Sequence, residues 1–102
     1  RLDLMGILTK DTVLKMYHEC KKINPSFILY GEGWNMPSML DESKRASLLH
    51  AKEMLPIAFF NDYFRDIVKG KNFDRELQEK GYVNGNTGFV YEMIKAMKGN
   101  FT

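Results

Sequence analysis

At 102 residues, with 44% apolar and 13% aromatic side chains, the chain has the length and apolar content of one small domain, which excludes wholesale disorder. Its 15 basic and 13 acidic side chains leave a net charge of +2, dispersed rather than blocked, so nothing in the composition asks for nucleic acid or an anionic membrane. A single cysteine, Cys20, excludes an internal disulfide, and no apolar run approaches the roughly 20 residues that a bilayer span needs.

The chain opens on Arg1 rather than Met, and its first residues, RLDLMGIL, already read as a short apolar strand. The expectation is therefore a piece of something longer, with any targeting signal upstream and the compartment left open. Thr9 and Asp11 follow as helix-cap candidates. DTVLKMYHECKKI then places Val13, Tyr17, Cys20 and Asn24 on one helical stripe, with Leu14 and Met16 beside it. A cysteine on that stripe reads as a buried, inert thiol. Pro25 disfavours helical geometry at Asn24 and stops the helix. SFILYGEGW is the second strand and NMPSMLDE a polar loop. SKRASLLHAKEML reads as the second helix, through Leu48, Leu49, Ala51 and Leu55, and Pro56 ends it. IAFFND is the third strand, and YFRDIVKG a short helix closed by Gly70. FDRELQEK is a further helix candidate, while GYVNGNTG is turn chemistry. The final FVYEMIKAMKG stacks Val90, Met93, Ile94 and Met97 on one face, with Lys95 and Lys98 near the negative end of the helix.

Strands alternating with helices predict βαβ units and a parallel sheet covered by helices, an α/β architecture. Asp3, Glu32 and Asp62 each fall at or near the end of a strand, 29 and then 30 residues apart. One strand plus one crossover helix takes about 30 residues, so the acids should recur at one height, at the strand ends where parallel sheets place their ligands. Alternation along the first strand groups Arg1, Asp3 and Met5, and along the second Ile28, Tyr30, Glu32 and Trp34. Arg1, two places before Asp3, is placed to hold that carboxylate ionised. Gly31 and Gly33 flank Glu32 with no side-chain bulk, which predicts room for a ligand, and Trp34 offers a flat face of the kind sugar rings stack on. This is the pattern of a working carboxylate pair, one charged and one in a more apolar setting. His18 and His50 read as surface positions on their helices, too far apart in sequence to suggest a metal site. GEGWNM lacks the third glycine of a dinucleotide fingerprint, and no phosphate-loop lysine is present.

RLDLMG, the glutamate of LYGEGW 29 residues later, IAFFNDYFRDIVKG and GYVNGN, in this order, resemble type I pullulanases. These are α-glucan debranching enzymes of glycoside hydrolase family 13, in the α-amylase clan, and the resemblance covers essentially the whole chain. It implies that Asp3 is a nucleophile and Glu32 a general acid/base, that Arg1 lines the nucleophile, and that Arg1, Met5 and Trp34 contact substrate. It further implies that residues 1–102 are the fourth to sixth strands of a (β/α)8 barrel with their helices, about three of eight units. The implied reaction is retaining hydrolysis of α-1,6 branch bonds in pullulan, starch or glycogen, with an α-glucan as partner and no cofactor. Calcium elsewhere in a longer parent is left open. The family's upstream Asp-to-His strand motif and downstream His-Asp pair are absent, so the third catalytic carboxylate should lie outside this chain, with Asn61 and Asp62 structural or at the rim. The isolated piece is then expected to be inactive and to self-associate through open sheet edges or apolar helix faces. The rival expectation is a non-catalytic α/β interaction or carbohydrate-binding domain that shares the strand-end acids.

Overall fold

The computed structural model describes residues 1–71 and 79–98. They divide into two units, Arg1–Phe60 and Asn61–Thr102.

The first unit is built around three backbone segments that run side by side in parallel. Leu2 donates its N–H to the Tyr30 carbonyl at 3.0 Å and accepts from the Glu32 N–H at 3.1 Å, which forms a parallel bridge between Leu2 and Gly31. Strand β1 (Tyr30–Gly31) pairs in parallel with β2 (Ala58–Phe59), Tyr30 opposite Ala58 and Gly31 opposite Phe59. Parallel neighbours need a crossover, and the first is helix α1 (Lys10–Ile23). Thr9 caps α1 by accepting the Thr12 N–H, and the helix stops at Ile23, one residue before the Asn24 that Pro25 restricts. The expected stripe faces inward: Val13 and Tyr17 join Met5, Leu29, Ala46, Met54 and Ile57 in one buried cluster, with Leu2, Leu8, Leu14, Phe27 and Phe59 packed against it. Cys20 on that stripe is half-buried.

Expectations for this unit are corrected in length and in kind: the strands expected over SFILYGEGW and IAFFND shorten to Tyr30–Gly31 and Ala58–Phe59, and two other stretches change type. RLDLMGIL is not a strand beyond the Leu2 bridge: Leu4 sits in the left-handed region (φ 50, ψ 35) and the chain turns into a 3-10 helix, Met5–Ile7. SKRASLLHAKEML is not one α-helix but two 3-10 segments, Glu42–Lys44 and Leu48–Met54, the second kinked at His50. Tertiary hydrogen bonds outbid the helical ones here, since Ala46 donates to the Leu8 carbonyl and Leu48 to the Gly33 carbonyl, each at 2.8 Å.

The second unit begins at helix α2 (Asp62–Lys69), which starts earlier than expected because the Asn61 side chain caps it by accepting the Phe64 N–H at 2.8 Å. Gly70 ends it with φ 89, and a Cβ there would sit 1.9 Å from the Glu79 carbonyl oxygen, so this close approach requires glycine. Tyr82–Asn84 and Thr87–Phe89 form 3-10 turns, as GYVNGNTG predicts turns, and lead into helix α3 (Val90–Met97). Within α3 the buried residue is Ala96; Val90, Ile94 and Met97 of the expected apolar face are exposed. The helix expected over 73–80 lies almost wholly outside the described residues.

Candidate active site

Where Leu2 meets β1, the residues on either side of the bridge carry the charges. Arg1 precedes Leu2 and Asp3 follows it, while Glu32 follows Gly31, so pairing two backbones sets three charged side chains at one edge. The predicted alternation holds from Ile28 to Gly31, with Leu29 and Gly31 buried and Ile28 and Tyr30 exposed, and ends there: Glu32, Gly33 and Trp34 are alike half-buried. One nitrogen of Arg1, Nη2, lies 2.7 Å from Asp3 Oδ1 and 3.2 Å from Glu32 Oε1. The two oxygens are thus no farther apart than the sum of those distances, a bound that admits the roughly 5 to 5.5 Å separation of a retaining carboxylate pair. The pair is asymmetric. Asp3 keeps 72% of its side chain exposed and Glu32 25%, and Glu32 Oε2 also accepts the Leu4 N–H at 3.2 Å. That N–H is aimed by the left-handed turn at Leu4, a conformation that costs energy for a residue with a Cβ. Glu32 therefore sits among donors, not in the apolar setting the sequence suggested.

The other candidates divide. Met5 does not share the face of Arg1 and Asp3; the turn at Leu4 drives it into the core, where it is 0% exposed and supports the site from beneath without surface to meet a substrate. The glycines around Glu32 do not open room for a ligand. A Cβ on Gly31 would lie 2.6 Å from the Leu2 carbonyl oxygen, and one on Gly33 would lie 2.3 Å from the Phe59 ring, so both are spent on packing. Trp34 is half-buried at the start of the loop leaving the site. Asp62 belongs to the first turn of α2 and pairs with Arg65 at 2.8 Å, a structural role like that of Asn61.

Three contributors were missed in the sequence. Phe60 lies under Arg1, with the guanidinium carbon 5.2 Å from its ring centroid, and Tyr30 meets the same ring edge-on at 5.7 Å. Alternation placed Tyr30 on the right face, but nothing in IAFFND distinguishes Phe60 from Phe59. Arg45, within the stretch read as the second helix, gathers the loop after Trp34: it donates to the carbonyls of Met36 at 3.0 Å, Ser38 at 3.3 Å and Leu40 at 2.7 Å. His50 is likewise no free surface residue, since its ring meets the Glu42 carbonyl and Glu53 Oε1, each at 3.0 Å. Glu53 is held below the ordinary carboxyl range, first by a hydrogen bond from Lys10 and then by His50. Among the described residues no group of three or more His, Cys, Asp or Glu side chains is arranged to hold a metal ion.

A pullulanase of Bacillus subtilis (strain 168) is 45% identical to this chain over 100 residues, which is 98% of this chain and 14% of that protein. The Klebsiella aerogenes pullulanase is 36% identical over 70 residues, 69% of this chain and 6% of its own length. The crystal structure of a pullulanase from Anoxybacillus sp. LM18-11, complexed with maltotriose, superposes on 95% of this chain with a TM-score of 0.88 and 39% identity, using 14% of that chain. The chain belongs to the pullulanase family. It spans a small part of the length of the pullulanases it matches. No family model matches it. Its mixture of helix and parallel strand is that of a stretch of solved pullulanases, including the B. subtilis type I pullulanase complexed with maltose, at a TM-score of 0.86.

Proposed function

We propose that this pullulanase segment carries the nucleophile and the general acid/base of a retaining glycoside hydrolase that cleaves α-1,6 bonds of pullulan, starch or glycogen. The observation that carries the reading is the meeting of Asp3 and Glu32 on one nitrogen of Arg1. Two carboxylates gathered on one donor lie within the reach that double displacement needs. The exposed Asp3 attacks the anomeric carbon as the bond to the leaving O6 breaks, and the proton of Glu32 passes to that oxygen. Glu32, now a carboxylate, takes a proton from water; the water oxygen attacks the same carbon and Asp3 departs, so the configuration is retained. Arg1 orients both groups, and Trp34, at the mouth of the following loop, offers its indole to a sugar ring. Support for a glucan substrate comes from the relatives, solved with maltotriose and with maltose. The reaction asks for no cofactor.

In this reading residues 1–102 are the fourth to sixth strands of a (β/α)8 barrel with their helices, and the third carboxylate lies elsewhere in the full-length enzyme. The 102-residue chain alone should then release no reducing sugar from pullulan; detectable release would refute this. In a full-length pullulanase carrying the segment, Glu32→Gln should lower turnover of pullulan by about 10²-fold or more while sparing a glycosyl fluoride, whose leaving group needs no proton. Asp3→Asn should abolish both. A fluoro-sugar inactivator should label the peptide that contains Asp3, and mass spectrometry finding the label elsewhere would remove the nucleophile assignment.

A further inference from the structure

We propose that Phe60 is a positioning residue for the carboxylate pair, its ring holding the Arg1 guanidinium where a single nitrogen reaches both Asp3 and Glu32. The inference rests on the catalytic reading above and adds to it a group that cannot itself transfer a proton or form a bond to the substrate.

Arginine has many rotamers and a planar fork of donors that any one carboxylate can occupy alone. Asp3, two residues away and the nearer partner at 2.7 Å, would capture both arms of an unconstrained guanidinium and leave Glu32 at 3.2 Å without it. The side chain of Arg1 is half exposed, so burial does not fix it. What does face it is the Phe60 ring, 5.2 Å from centroid to guanidinium carbon, within the range of cation–π attraction. The ring is itself braced. Tyr30 packs against it at 5.7 Å with an interplanar angle of 90°, and the Phe60 N–H donates to the Gly31 carbonyl at 3.2 Å, next to Glu32 in the chain. Ring and acid/base therefore ride on hydrogen-bonded neighbouring backbones. Phe60 sets the height of the guanidinium, and the guanidinium sets the separation of the acids.

The test uses a full-length pullulanase carrying these residues. Phe60→Leu, which keeps an apolar side chain but removes the π face, should lower kcat about tenfold with KM little changed, because Arg1 no longer holds both carboxyls in place. Phe60→Tyr, which restores a ring, should return kcat to wild type. If Phe60→Leu does not fold, Tyr30→Leu removes the brace and leaves the guanidinium contact, and must lower kcat with KM little changed. A Phe60→Leu enzyme with wild-type kcat overturns the proposal. So does one in which KM alone rises, since that marks a substrate contact. Glu32→Gln made in parallel separates the two failures: retained pullulan turnover there sinks the catalytic reading, whereas its loss beside an unaffected Phe60→Leu sinks only the positioning role.

Discussion

Helix α1 and helix α3 carry the same kind of apolar period and use it differently. In the Arg1–Phe60 unit the stripe of α1 is spent inside the unit: Val13 is 0% exposed and Tyr17 is buried beside it. In the Asn61–Thr102 unit, α3 buries Ala96 and leaves Val90, Ile94 and Met97 outside, Met97 at 66%. Periodicity shows that a helix has an apolar face; it does not name what covers that face. The first unit has a cluster of buried residues to cover it, and the described residues of the second bury little beyond Ile67, Ala96 and the close-packed Gly70 and Gly81.

The largest test of this contrast is a pair of truncations. Met54, 0% exposed in the first unit, should cost about 2 to 5 kcal/mol when replaced by Ala in the 102-residue chain, by lost burial and a residual cavity. Met97→Ala in the same chain should cost no more than about 0.5 kcal/mol. Denaturant titration of both variants reads the difference. Repeating Met97→Ala in a full-length pullulanase sharpens it: a cost rising to the size of a core truncation would mean that the rest of the polypeptide covers α3.

Next in size is Arg45→Met. Because Arg45 ties together the carbonyls of Met36, Ser38 and Leu40, its loss should free the loop after Trp34 at a cost of about 1 to 2 kcal/mol. Hydrogen exchange should speed up within residues 35–40 and leave α2 and α3 unchanged; a uniform change across both units would show that the staple is not local. Below that in free energy is association. The exposed apolar residues of α3 should draw copies of the isolated chain together, and Ile94→Lys with Met97→Lys should shift its sedimentation toward monomer. A wild-type chain that stays monomeric at high concentration would count against this.

What could be read in advance divides along physical lines. Local rules carried α1, its Thr9 cap, its stop before Pro25, the Gly70 terminus and the turns of GYVNGNTG, because each rests on neighbours a few residues apart. The meeting of Asp3 and Glu32 was legible from βαβ spacing, which brings Leu2 beside Gly31, whereas strand alternation failed past Leu4, where Met5 turns into the core. The left-handed Leu4 was not legible, since leucine has no preference for that region; what demands it is tertiary, the burial of Met5 and the N–H turned to Glu32. The broken second helix was hidden for the same reason: its sequence has helical period, but Ala46 and Leu48 donate to carbonyls far away in the chain. Arg45 and Phe60 look ordinary until a loop and a guanidinium are folded onto them.

The smallest expected effect is a difference in how the two units respond to acid. In the first, Glu53 ties the second 3-10 segment to Lys10 of α1 and to His50, and its carboxyl is held below the ordinary range, chiefly by the Lys10 hydrogen bond. A carboxyl depressed in the folded state contributes stability that is present above its unfolded value and lost as pH falls through its folded value. The clasp should therefore release on the acid side of the ordinary carboxyl range, with a small effect because Glu53 is exposed. In the second unit the corresponding clasp is centred on Arg65, whose guanidinium is pushed further up by its hydrogen bond to Asp66, with desolvation opposing and Asp62 assisting, so the cation itself does not titrate in any range where the fold is studied. Following the Glu53 carboxyl by NMR through an acid titration tests the assignment: Lys10→Met should move its midpoint up toward the ordinary value and leave residues 62–69 undisturbed. An unchanged midpoint would show that Lys10 is not what holds Glu53 ionised.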